Sequence, residues 1–182
     1  MAQGIIEALR SDHDEVREMF GRLEEATGTK RKELFQRLLS ELVRHEVAEE
    51  EILRPVSKRD AGKAIANARI KEESQAEELL KEMEKLDTSS AEFSAKLAKL
   101  RREVESHAEA EETKEFPRVE RKETPERLQQ LGKAYEAAKK AAPTHPHPSM
   151  PNTPVANMLV GPFAAIVDRA RDAVRDAMRS NA

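Results

Sequence analysis

The chain contains no cysteine and no tryptophan, a single tyrosine, and only 3% aromatic residues. Without cysteine there is no disulfide, no thiolate metal ligand and no cysteine nucleophile. So few aromatics, beside 37% charged residues, suit long solvated helices rather than sheets. No apolar run approaches the length of a membrane span, and the opening stretch MAQGIIEALRSDHDE is too short in apolar residues for a signal peptide. A cytoplasmic protein with no membrane partner is the expectation. Charge of one sign is not massed either. The net charge is −3 and lysine and arginine are interleaved with acids, which gives no reason to expect nucleic acid.

What the chain does have is helical periodicity. Its 182 residues suit one domain with an appendage. Apolar residues recur at three- and four-residue steps and predict helices over about 4–25, 29–54, 61–86, 89–117 and 125–141. Pro55 is expected to end the second and Pro117 the fourth. Ser90 and Phe93 suit a cap and first turn. The stretch PTHPHPSMPNTP is expected to run extended, and an amphipathic helix over 155–179 closes the chain. The fold class is therefore all-α: an up-down four-helix bundle over residues 1–120, followed by additional C-terminal helices over 121–182.

The first four helices also read as a repeated hairpin. HEVAEEEILRP, from His45, and HAEAEETKEFP, from His107, share one skeleton sixty-two residues apart. His13 aligns sixty residues before Glu73, and its stripe of Ile6, Leu9, Val16, Phe20 and Leu23 maps onto Ala66, Arg69, Ala76, Leu80 and Met83. That register fails only at Arg69. His13 falls between Leu9 and Val16, His45 and Glu49 between Leu42 and Ile52, and His107 and Glu111 follow Val104. Each polar group thus lies on a face that otherwise buries apolar side chains. Two inward His-x-x-x-Glu pairs aim nitrogen and oxygen donors at a common point in the bundle. Buried carboxylates need a partner or a metal. A histidine–carboxylate set without thiolates suits iron or manganese, with zinc as an alternative. Two bridging glutamates and terminal ligands from four helices suggest two metals, roughly 3.5–4 Å apart.

These residues resemble the hemerythrin-like (HHE cation-binding) family. Its pattern is a lone histidine on the first helix, HxxxE on the second, histidine on the third, and HxxxE or HxxxxD on the fourth. His13, His45–Glu49 and His107–Glu111 match it over about residues 5–117. The third-helix histidine is missing. Glu73 stands at the matching position, with Glu72 and Glu77 as alternatives. The resemblance, closest to mycobacterial-type members, implies two iron ions, oxo- or hydroxo-bridged and diferric at rest. They would be held by His13, His45, Glu49, Glu73, His107 and Glu111. It also implies reaction with hydrogen peroxide (catalase-like) or nitric oxide rather than oxygen transport, because a carboxylate in place of histidine favours ferric iron. A binding or sensing protein for oxygen, nitric oxide or iron, with no turnover, is the alternative. A ferritin-like oxidase is disfavoured, since no histidine has a glutamate three residues before it.

Other residues take plainer readings. Tyr135 packs on the fifth helix or reaches the metals as a phenolate. Glu50 and Glu112 point outward, although Glu112 replaces Glu111 if the fourth helix follows the HxxxxD variant. Glu41 and Glu103, each four residues before a ligand histidine, are surface acids or partners of those histidines. His145 and His147 are loop residues. The last helix packs on the bundle, forms a dimer interface or lies on a membrane surface. Monomer or weak homodimer is the expected state.

Overall fold

The computed structural model describes residues 3–144, and within them every regular element is a helix. Helices α1 (Ile5–Glu25), α2 (Gly28–Ser57), α3 (Lys63–Met83) and α4 (Ala91–Ala110) form the up-down bundle, with α1 against α2 and α4, and α3 against α2 and α4. A short α5 (Phe116–Glu120) and then α6 (Pro125–Ala141) follow. Helix α6 packs against α1 and α2. Residues His145 and His147, the Pro-rich stretch and the helix expected over 155–179 lie outside the described residues.

Local signals fix several ends. Ser90 Oγ accepts from the Phe93 backbone N–H at 3.0 Å and starts α4, as its position suggests. Thr124 Oγ1 does the same for Arg127 ahead of Pro125, a residue suited to a first helical turn. Between α3 and α4, Asp87 accepts from the backbone N–H and hydroxyl of Ser89, both at 2.8 Å.

The two prolines do not act as expected. Helix α2 runs through Pro55 to Ser57, and a π-helical segment, Lys58–Gly62, carries it to the start of α3. Pro55 lacks the N–H that would complete a helical turn, but Val56 and Ser57 beyond it are buried, and that packing holds the helix on course. The break comes at Gly62, whose φ of +106° suits glycine. Pro117 likewise lies inside α5, whose Phe116 and Val119 are fully buried. A second π-helical segment, Glu111–Glu115, joins α4 to α5.

The core has two apolar parts. One gathers Val16, Phe20, Leu23, Phe35, Leu38, Leu80, Phe93 and Leu100. The other gathers Ile5, Leu9, Leu53, Phe116, Val119, Leu131 and Tyr135. His13 sits between Leu9 and Val16, one from each part, so the histidines and carboxylates form a polar layer between them. No helix among the described residues is long and apolar enough to cross a membrane.

Gly132 lets α6 approach the start of α1. A Cβ there would stand 2.3 Å from the Gln3 carbonyl oxygen and 3.0 Å from the Ile5 nitrogen, both backbone. Gly132→Ala should therefore push α6 off α1 and destabilise the fold by about 1–3 kcal/mol, the usual cost of overpacking. Thermal unfolding checks this; an unchanged midpoint would show that α6 does not dock as described.

Candidate metal centre

All six residues singled out by the repeat converge in the polar layer. His13, His45 and Glu111 offer ligand atoms within 4.8 Å of one another, and so do Glu49, Glu73, His107 and Glu111. Glu111 belongs to both groups. Its Oε2 lies 3.4 Å from His13 Nε2 and its Oε1 lies 3.2 Å from His107 Nε2. His45 Nε2 is 3.4 Å from Glu49 Oε2. Glu73 faces this cluster, whereas Glu77 pairs with Lys81 and Glu72 turns toward His107 from outside it.

Each histidine is held from behind by a carboxylate of another helix. His13 Nδ1 lies 2.8 Å from Glu112 Oε1, His45 Nδ1 lies 3.4 Å from Asp12 Oδ2, and His107 Nδ1 lies 3.1 Å from Glu72 Oε2. Such contacts fix the ring and its tautomer and leave Nε2 for the interior. Glu112 thus points at His13 rather than outward. Arg17 also donates to it, at 2.9 Å. Phe116 stacks against His13 at 5.9 Å between ring centroids.

Tyr135 is buried but does more than fill space. Its hydroxyl donates to Asp12 Oδ2 at 2.5 Å and lies 2.9 Å from His45 Nδ1. Lys139 pairs with the other Asp12 oxygen at 2.8 Å. Helix α6 therefore reaches the His45 side of the centre through Tyr135 and Asp12. Burial and the adjacent Asp12 carboxylate raise the phenol's pKa well above its ordinary value, so it keeps its proton. Glu41 pairs with Lys139 and Arg44, and Glu103 with Lys99.

Sequence reasoning passed over Arg54, the largest fully buried side chain among the described residues. Its Nη2 lies 2.8 Å from Glu49 Oε1, 2.5 Å from Glu73 Oε1 and 3.0 Å from Glu111 Oε1, and its Nη1 lies 2.8 Å from Glu115 Oε1. The repeat register held a signal: Arg54 aligns with Phe116, a core position.

The electrostatics follow from this crowding. Burial works against the charge on His45, but the neighbouring Asp12 and Glu49 carboxylates outweigh it and push its pKa up to about 10. His107 moves the same way against burial, chiefly through Glu111. Burial raises Glu73 and Arg54 lowers it, with the carboxylates of Glu49 and Glu111 adding to the rise, and the result is pushed up to about 7. Burial and Glu73 push Glu46 up to about 8. Glu111 ends well below its ordinary value, because His107, His13 and Arg54 together outweigh its burial.

A pH dependence follows for the metal-free protein. His45 has a folded pKa above its unfolded value of 6.5, so its stabilisation is complete below pH 6.5 and is lost as pH rises toward about 10. Stability of the metal-free chain should accordingly fall across that window. A thermal midpoint that rises between pH 6.5 and 9 would contradict it.

The residues fit a metal by their unmet bonding as well as their type. His13 Nε2, His107 Nε2, Glu111 Oε2 and Glu49 Oε2 are buried and make no aligned hydrogen bond, only contacts of 3.2–3.4 Å within the cluster. Buried polar atoms left so are costly, and a cation at their convergence satisfies them together. A cavity of about 30 Å³ touches His13, His45, Glu46, Glu73 and His107, with apolar wall from Val16, Phe20, Leu42 and Ala76 and charged residues Arg17, Glu72, Glu103 and Glu105 also lining it. That is space for a ligand of about the size of water.

Comparison with known proteins points the same way. The hemerythrin HHE cation-binding domain matches residues 4–119. The chain is 30% identical over 135 residues to an uncharacterised hemerythrin-like protein of Schizosaccharomyces pombe, a match spanning 72% of this chain and 66% of that protein. The crystal structure of a hemerythrin HHE cation-binding domain-containing protein from Mycobacterium kansasii superposes with a TM-score of 0.68 at 19% identity, covering 92% of this chain and 99% of that one.

Proposed function

Because the chain belongs to the hemerythrin HHE cation-binding family, we propose that it is a non-heme di-iron protein that reacts with hydrogen peroxide in a catalase-like manner, and with nitric oxide. Its metal ligands in this reading are His13, His45, Glu49, Glu73, His107 and Glu111. The single observation that carries it is a very small, largely apolar cavity ending on the three histidines and Glu73. A space of that size admits a molecule as small as hydrogen peroxide or nitric oxide.

Bound iron supplies a Lewis acid and an exchangeable electron at the cavity end. The protein's own part is to orient, to line the approach and to balance charge. Glu112, Asp12 and Glu72 hold the three imidazoles with Nε2 inward. Val16, Phe20, Leu42 and Ala76 give the approach an apolar wall. Anionic donors outnumber what a histidine-rich centre would offer, and their charge favours the ferric over the ferrous ion in a low-dielectric core.

The test is oxygen release from peroxide by iron-loaded protein, followed with an oxygen electrode alongside metal analysis. Sustained release proportional to bound iron is the expected result. Reversible uptake of oxygen or nitric oxide without release would overturn the enzyme reading and leave a binding protein.

A further inference from the structure

Arg54 occupies the place that one of the two metal positions requires. Three of the four donors in one cluster are the Glu49, Glu73 and Glu111 carboxylates, and a single guanidinium nitrogen meets an oxygen of each at 2.5–3.0 Å. Those distances are hydrogen-bond distances, longer than metal–oxygen bonds. The other cluster, His13, His45 and Glu111, is not shared in this way. Arg54 uses Glu111 Oε1, whereas Oε2 is the oxygen beside His13. A guanidinium cannot shed its proton at any ordinary pH, so a cation arriving beside it meets a fixed like charge. Nη1 has its own anchor in the fully buried Glu115, so the side chain can give up its Nη2 contacts and stay paired.

Resting on the metal-centre reading above, we infer that Arg54 is the resident cation of the Glu49–Glu73–His107–Glu111 position, and that a metal enters there only by exchanging for its guanidinium. The His13–His45–Glu111 position fills first. Arg54 also balances the buried carboxylates before any metal arrives, which lets the metal-free chain fold. The order of filling is thereby written into one side chain.

The experiment is a titration of metal-free, full-length protein with Mn²⁺ by equilibrium dialysis, with electron paramagnetic resonance to report when a second ion joins the first. Native protein should take one ion tightly and a second at least about 100-fold more weakly, the scale expected when an incoming cation must displace a fixed charge. Arg54→Met should bring the two affinities within about tenfold, while Arg54→Lys, which keeps the charge, should preserve most of the gap. Arg54→Met leaves carboxylates unbalanced and is prone to unfold without metal. The double variant Arg54→Met/Glu115→Gln removes one charge of each sign and is titrated beside it. Thermal unfolding adds a second readout: metal-free Arg54→Met should melt lower than native protein and recover with Mn²⁺. Two equal affinities in native protein, or a gap unchanged in both methionine variants, would overturn the role of Arg54 and leave the metal centre standing. No Mn²⁺ bound by any of these proteins would remove the metal-centre reading and this inference together.

Discussion

Glu111→Gln should leave both donor clusters without metal. Glu111 is the residue that belongs to both donor clusters, with Oε2 toward His13 and Oε1 toward His107. An amide of the same shape keeps one carbonyl oxygen but loses the charge and presents N–H donors to one of the two imidazoles. Metal content per chain should fall at least about tenfold at a metal concentration that saturates native protein. Metal bound only by the folded state stabilises it by mass action, about 2.7 kcal/mol at a hundred times the dissociation constant. For a chain of this size that corresponds to roughly 5–10 °C of thermal midpoint, and Glu111→Gln should lose it. Glu115→Gln is the control. Glu115 is four residues away, equally buried and paired with the same Arg54, yet outside both donor clusters. It should alter stability without emptying the site. Equal metal loss in the two variants would mean that general disruption of the buried charge network, and not ligation, sets metal content.

The contrast between Glu111 and Glu115 shows where sequence reasoning reached and where it stopped. Periodicity placed His13, His45, Glu49, Glu73, His107 and Glu111 on inward faces, and all six meet in one polar layer. Those positions were legible because each interrupts an apolar stripe, and a polar residue on such a stripe has to be satisfied by something. Asp12, Glu72 and Glu112 gave no such sign. Each is the sequence neighbour of a proposed ligand, about 100° around the helix from it, where only the adjoining helix can decide whether it meets solvent or an imidazole. Arg54 was hidden for a related reason. On a charged helix an arginine near glutamates reads as an exposed pair, and its burial depends on Glu73, Glu111 and Glu115 arriving from α3 and the segment after α4. The prolines misled in the opposite direction. Pro55 and Pro117 carry strong local preferences, but buried residues on their far sides, Val56 and Val119 among them, hold the helices past them.

The second large effect is expected at Glu73, where the chain departs from a histidine-rich pattern. A carboxylate at this position lies 2.5 Å from Arg54 and 4.0 Å from His107, inside the donor cluster. With iron bound, its negative charge stabilises the ferric more than the ferrous ion. Each charge acts at short range in a poorly screened core, where a pair about 4 Å apart is coupled by about 4 kcal/mol at an effective dielectric of 20. Glu73→His removes that charge and supplies a neutral nitrogen. The reduction potential of the iron-loaded site should rise, and peroxide turnover at equal iron content should fall at least about tenfold, corresponding to about 1.4 kcal/mol of barrier. Arg54 loses one of its carboxylate partners in the same step, so the charge change has a second consequence in the metal-free protein. Glu73→Gln separates the two effects: it removes the charge without adding a nitrogen donor. If the potential rises in both variants while turnover falls only in Glu73→His, the added nitrogen is responsible. If both quantities move together in both variants, the carboxylate charge sets the chemistry. Unchanged potential and turnover in both would show that Glu73 does not govern the reactivity of the centre, and that its replacement of a histidine is not what sets the chemistry.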